Sequence, residues 1–108
     1  LLPVIEDATI FGSVVYIDSY QNVVTNITRE LFEQVRKNRS FEIIPQNYVY
    51  KINKINTAYN QTSEGELLAI FNSLGLLEIA IRNGNAAELM NLDTRSKIRI
   101  KFHDNQNR

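Results

Sequence analysis

The chain has 108 residues, with twelve Lys and Arg balanced by twelve Asp and Glu and no cysteine. That length suits one domain with a single core and would strain to hold a large multi-part active site. The zero formal net charge argues against a nucleic-acid surface, which needs a basic excess to release counterions, and the lack of cysteine excludes disulfides and thiolate metal sites.

Taken from the start, Leu1-Leu2-Pro3 carries no initiator Met, and no basic and apolar signal-peptide regions follow. The expected reading is a segment of a longer cytoplasmic protein, with residues 1–10 as a linker remnant. No apolar run approaches the roughly 20 residues of a membrane span. Ile10 to Asp18 (IFGSVVYID) is rich in β-branched and aromatic residues, and its apolar side chains alternate onto both faces. That pattern predicts a strand covered on each side. Gln21-Asn22 turns the chain into a short strand from Val23 to Ile27. Thr28 then stands as a helix N-cap, and Leu31, Phe32 and Val35 form one apolar stripe, so Thr28 to Lys37 reads as a short amphipathic helix. The basic run Arg36-Lys37-Asn38-Arg39 falls at its C-terminus, where cations complement the helix dipole.

Phe41 to Ile44 and Tyr48 to Ile55 predict a hairpin around Pro45-Gln46-Asn47. A polar, irregular loop from Ile55 to Ser63 contains Tyr59. Glu66 to Asn72 reads as a further strand ending at Asn72-Ser73-Leu74-Gly75. Leu77, Ile79 and Ile81 alternate with Glu78, Ala80 and Arg82. Asn85 to Leu92 predicts a helical turn or two, and Lys97 to Phe102 is a strand with Ile98, Ile100 and Phe102 inward. Residues 103–108 read as a polar, frayed tail. Asn-x-Ser/Thr triplets at Asn26, Asn38 and Asn60 follow from an Asn-rich composition. Short strands at regular spacing with two small helices predict an all-β fold, a small closed or nearly closed barrel of about six or seven strands over residues 11–102.

Standard catalytic constellations are missing. The single histidine, His103, sits in the polar tail, so neither a Ser-His-Asp set nor a His metal cluster can be built. The four glycines are scattered, with no phosphate loop among them. No carboxylate pair is obviously placed for acid–base work. On these grounds the chain is a ligand-binding module and not a complete enzyme: catalytic residues none, metal none, cofactor none. Polar residues at strand ends are more informative. Asp18 and Asn22 flank the first turn, where the plain reading is a carboxylate capping backbone N–H groups and an Asn that tolerates positive φ. Asn72-Ser73 has a similar plain reading as turn chemistry. At Gly84-Asn85-Ala86-Ala87, small residues either pack a short helix tightly or leave room for a planar ligand to reach unpaired helix N–H groups.

Three blocks in order, "GSVVYIDSYQNVVTNIT", Tyr59 with Gly65-Glu66, and "FNSLGLLEIAIRNGNAAELM", resemble the C-terminal domain of the S-adenosylmethionine hydroxide adenosyltransferases, relatives of the bacterial fluorinating and chlorinating enzymes. The resemblance runs from about Phe11 to Phe102. It implies an N-terminal α/β domain of roughly twice this length, a homotrimer, and S-adenosylmethionine held between the N-terminal domain of one subunit and the C-terminal domain of its neighbour. It also implies hydrolysis to adenosine and methionine, with the catalytic groups in that other domain. Residue by residue, Asp18 matches the acid that meets the methionine ammonium and Asn22 the amide that reads the adenine edge. Ser73 matches the residue at the methionine carboxylate. Ala86, with Asn85 beside it, matches a backbone contact to adenine, and Tyr59 an aromatic against the purine.

Departures are informative. Gln21 stands where many relatives have Gly, and Tyr20 where they commonly have Phe. Val24 and Leu74 replace the tryptophan and the carboxylate-binding arginine of the fluorinating branch, which points towards the hydrolases. Gln61 stands where relatives often carry Asp. The expected function is therefore the substrate-binding half of an S-adenosylmethionine hydrolase, inactive by itself. The alternative is a stand-alone nucleotide- or partner-binding barrel without catalysis. An oligonucleotide-binding barrel is disfavoured by the zero net charge. The expected partners are S-adenosylmethionine and its products and the adjacent subunit's N-terminal domain, with no nucleic acid and no membrane.

Overall fold

A computed structural model describes residues 2–46 and 49–104. Apolar alternation builds seven strands: β1 (Val4–Glu6), β2 (Thr9–Ile17), β3 (Val23–Thr28), β4 (Ser40–Pro45), β5 (Leu67–Phe71), β6 (Leu76–Ile81) and β7 (Lys97–His103). Two helices complete it, α1 (Arg29–Arg36) and α2 (Ala86–Met90). The strands form one strongly curled antiparallel half-barrel in the order β4-β7-β2-β3-β6-β5, with β1 paired to β2. The mostly-β, barrel-like fold expected from the strand spacing is the one observed.

Strand β2 joins the two halves of the sheet. Its first part pairs with β7 from Thr9↔Lys101 to Ser13↔Lys97, and its second part pairs with β3 from Val14↔Thr25 onward. A register irregularity between Val14 and Tyr16 marks the change. Because of it, Val15 and Tyr16 both stay exposed, at 43% and 42%, where the alternation predicted cover on each side. The inward face, Ile10, Val14, Val23, Ile27, Ile79, Ile98 and Ile100, makes the core.

Thr28 caps α1 as its sequence position predicts, its hydroxyl accepting the Leu31 N–H at 3.0 Å. The amphipathic helix drives Phe32 into the open side of the curl. Its ring lies 5.1 Å from Phe41 of β4, 5.5 Å from Phe71 of β5 and 5.6 Å from Phe102 of β7. The basic run after α1 has the expected role: Arg39 donates from Nη2 to the Val35 carbonyl at 2.7 Å and from Nε to the Arg36 carbonyl at 3.0 Å.

The predicted second hairpin arm is not a strand. Asn47 and Tyr48 of that expectation lie outside the described residues. Beyond them, Ile52 makes an isolated antiparallel bridge to Ile43 of β4, and Asn56 makes an isolated parallel bridge to Ile70 of β5. Tyr50 and Ile52 keep a period of two, but Ile55 breaks it, so no uniform strand can bury all three. The segment instead ties together the two edge strands of the sheet, β4 and β5. Two expectations at the ends differ as well. The N-terminal stretch read as linker contains β1 and the first two residues of β2, because Val4 and Ile5 have partners in Phe11 and Ile10. His103, assigned to the frayed tail, closes β7 opposite Ser40, with Nε2 3.6 Å from Glu42 Oε1. Residues 105–108 of that tail lie outside the described residues.

Candidate functional site

A cleft of about 840 Å³ opens beside the β2–β3 turn, lined among others by Asp18, Asn22, Tyr59, Glu78, Arg82 and Asn85. Four chain segments meet there. The first is the turn itself. Asp18 Oδ1 accepts the backbone N–H groups of Tyr20 and Asn22, both at 2.9 Å. This is the capping role open to an Asp at a strand end, and both bonds fall on one oxygen. Gln21 takes a left-handed φ of 65°, a backbone state that glycine enters at no steric cost.

The second segment is the loop from Asn56 to Thr62. Asn56 is buried and donates from Nδ2 to Thr62 Oγ1 at 2.7 Å, closing the loop on itself. Gln61 holds the other side. Its Oε1 accepts the N–H groups of Thr57 and Ala58 at 2.8 and 3.3 Å, and its Nε2 donates to Thr57 Oγ1 at 2.8 Å. The amide thus uses both its acceptor and its donor on one residue, Thr57. The 3₁₀ turn Tyr59–Gln61 sits on this frame and presents Tyr59 to the cleft.

The third segment is β6, which carries the residue that sequence reasoning missed. Glu78 alternates with the core-facing Leu77 and Ile79, a pattern that reads as an outward polar side chain. In the structure it is only 5% exposed. Three donors converge on its carboxylate: Tyr59 Oη at 2.6 Å and Asn22 Nδ2 at 3.0 Å on Oε2, and Asn72 Nδ2 at 3.2 Å on Oε1. Burial follows from the long-range position of the 56–62 loop, which local alternation cannot report. The available signal was Glu78 set between apolar neighbours in a strand whose other outward residues, Leu76 and Ala80, are also apolar.

This arrangement shapes the electrostatics of the cleft. Burial, then the hydrogen bond to Glu78 and its charge, then the charge of Asp18, push the Tyr59 hydroxyl well above its ordinary range. Tyr59 is thus a neutral donor at any physiological pH. Arg82 supplies a cation at the rim and donates from Nη1 to the Thr62 carbonyl at 3.0 Å, tying β6's end to the Tyr59 loop.

The fourth segment is the corner from Gly84 to Ala87. Asn85 is the N-cap of α2, its Oδ1 accepting the Glu88 N–H at 2.9 Å. The Ala87 N–H donates to the Gln21 carbonyl at 3.1 Å, which fastens α2 to the β2–β3 turn. Two N–H groups expected to be open are therefore occupied. Ala86 is fully buried, and a Cβ on Gly84 would meet Ile81 Cγ2 at 2.6 Å. Tight packing accounts for the small residues of this corner.

Of the six residues singled out from sequence, Asp18, Asn22, Tyr59 and Asn85 line the cleft. Ala86 lies beneath it in the core. Ser73 stands exposed in the β5–β6 turn and does not line it. Its neighbour Asn72 shapes that turn, Oδ1 accepting from the Leu74 and Leu76 N–H groups at 3.0 and 3.1 Å. Among the described residues no group of His, Asp and Glu is placed to hold a metal ion, and no helix is long and apolar enough to cross a membrane.

Known proteins share this fold. An uncharacterised conserved protein of Thermotoga maritima has a similar structure, with 27% identity and a TM-score of 0.78 over 94% of this chain. A conserved hypothetical protein of Thermus thermophilus has the same fold at 20% identity, with a TM-score of 0.64 over 86% of the chain. This chain spans 39% and 34% of the lengths of those two proteins. The model of a family of SAM-related enzyme domains matches residues 12–99, from within β2 to within β7. The chain belongs to the SAM hydroxide adenosyltransferase C-terminal domain family.

Proposed function

We propose that this domain is the substrate-binding half of an S-adenosylmethionine hydrolase, and that it completes its active site with the N-terminal domain of a neighbouring subunit in a cytoplasmic homotrimer. The observation that carries the reading is the cleft wall in which Asp18, Asn22 and Tyr59 converge around the buried Glu78. Asp18 and Glu78 set two carboxylates beside the cleft against the single cation of Arg82 in its lining, a balance that favours a ligand bearing positive charge, and S-adenosylmethionine has both an ammonium and a sulfonium. Asp18 has an oxygen beyond the one bound to the turn, and it pairs with the ammonium. The Asn22 amide reads the adenine edge and Tyr59 lies against the purine, with Ser73 at the methionine carboxylate and the Asn85-Ala86 backbone at the base.

The reaction balances without a cofactor. A hydroxide derived from water attacks the ribose C5′, the C5′–S bond breaks, and its electron pair neutralises the sulfonium to give methionine and adenosine. This domain supplies orientation, and the groups that activate water belong to the other domain. Chromatography of a reaction of the full-length protein with S-adenosylmethionine tests the reading. It predicts equimolar adenosine and methionine from the full-length protein and negligible turnover from the 108 residues alone. Robust adenosine release by these residues alone would overturn it, as would a full-length protein that leaves S-adenosylmethionine intact.

A further inference from the structure

A side-chain amide presents an oxygen that accepts and a nitrogen that donates, so its orientation decides what it can recognise. Asn22 places Nδ2 3.0 Å from Glu78 Oε2, its one side-chain hydrogen bond among the described residues. No buried side-chain polar atom among the described residues lacks a partner. The unbonded Asn22 Oδ1 is therefore solvent-accessible, on a residue that lines the cleft.

Glu78 is itself held by groups with separate reasons to face it. Asn72 commits Oδ1 to the Leu74 and Leu76 N–H groups, so only its Nδ2 can turn to Glu78 Oε1. Tyr59 donates to Oε2 beside Asn22. A carboxylate fixed in this way offers only acceptors, and any amide in front of it must show nitrogen. The orientation of Asn72 is thus fixed by the backbone, whereas that of Asn22 depends on Glu78 alone.

We propose that Glu78 is the specificity-positioning residue of this cleft: it locks the Asn22 amide nitrogen-inward and oxygen-outward, so that the site selects a 6-aminopurine over a 6-oxopurine. The inference rests on the adenosine reading given above. An exocyclic amino group donates to Oδ1, whereas a carbonyl at the same position sets two acceptors face to face. A site built to bond one group rejects the analogue that cannot pair, because a polar atom is left without a partner.

The lock has a specific chemical key. In Glu78→Gln, Asn72 Nδ2 still requires an acceptor, so the new amide turns its oxygen to Asn72 and its nitrogen to Asn22. Asn22 then flips and presents its own nitrogen to the cleft. In Asn72→Asp/Glu78→Gln, the carboxylate at position 72 accepts from the glutamine nitrogen, the glutamine oxygen faces Asn22 again, and the original orientation returns. Both variants conserve shape, so loss of packing alone predicts no such reversal.

Equilibrium binding of adenosine and of inosine to the full-length protein gives a preference ratio for each variant. The expected result is a wild-type preference for adenosine, a ratio lowered by about tenfold or more in Glu78→Gln, and recovery in the double variant. An unchanged ratio in Glu78→Gln overturns the role of Glu78 while leaving adenosine recognition in place. A wild-type protein that binds neither nucleoside removes the reading on which the inference rests. Should Glu78→Gln fail to fold, hydrogen exchange of the Asn22 side-chain amide in the wild-type protein decides the matter by NMR. Protection of one of its protons supports the lock, and exchange of both at the rate of a free amide overturns it.

Discussion

Tyr59 holds its hydroxyl against a buried carboxylate, and that contact governs how it titrates. Its pKa is raised by burial and by Glu78, so the folded protein holds this proton more tightly than the unfolded chain does. Below the ordinary tyrosine value of about 10 both states are protonated and the contribution is fully present. As pH rises past about 10, the unfolded tyrosine ionises first, and stability is lost until the folded hydroxyl ionises as well. The difference in absorbance titration between wild type and Tyr59→Phe should therefore show no tyrosinate from Tyr59 at pH 10 while the protein stays folded. A difference of one tyrosinate at that pH would contradict the placement. Removing the hydroxyl should also cost about 1 kcal/mol in denaturant unfolding, since Oε2 of Glu78 then keeps only Asn22. Gln21 invites the opposite change. Its φ of 65° favours glycine, and Gln21→Gly should be neutral or stabilising by up to about 1 kcal/mol in the same assay. A clear loss of stability would show that the Gln21 side chain contributes something its backbone conformation does not explain. Asp18 and Asn22 could be singled out from sequence because a polar residue ending an apolar strand is conspicuous in one dimension. Glu78 could not, since its partners come from positions 22, 59 and 72 and meet only in the fold.

At the scale of elements, local pattern was readable wherever packing agreed with it. Thr28 followed by the Leu31, Phe32 and Val35 stripe gave α1 within a residue of its ends, and Ile98, Ile100 and Phe102 gave β7 and its inward face. Pattern failed where a segment serves two neighbours at once. The stretch that bridges β4 and β5 has apolar residues spaced for neither strand nor helix, and its two isolated bridges depend on edges brought together by the whole sheet. Strand β2 shows a milder version, where a bulge turns two successive side chains outward. The Gly84 corner is the element-scale feature most open to test. Its small residues join β6 to α2 at contact distance, so Gly84→Ala drives a methyl group against Ile81. Overpacking of this kind should cost about 1–3 kcal/mol by thermal or denaturant unfolding. A variant as stable as wild type would mean that the corner has room for a methyl group and is not held by tight packing.

Across the whole molecule, the curled sheet does two separate jobs. Its inner face is a closed apolar core gathered around Phe32, and that core provides rigidity. The cleft lies outside this core, where the β2–β3 turn, the Tyr59 loop, the outer face of β6 and the β6–α2 corner meet. Hydrogen bonds between these segments, rather than within them, set its shape: Ala87 to Gln21, Arg82 to Thr62, and the three donors to Glu78. A site assembled this way is preorganised by cross-links that hold three connecting segments against one strand. The two similar structures are more than twice this chain's length.

On the proposed reading, this cleft holds the adenosine end of S-adenosylmethionine through Asn22. Calorimetric titration of S-adenosylmethionine into full-length wild-type protein and Asn22→Ala addresses it most directly. Binding should weaken by about 1–3 kcal/mol in the variant, the cost of leaving polar partners unpaired, with the fold intact. Equal affinity of the two proteins would contradict it.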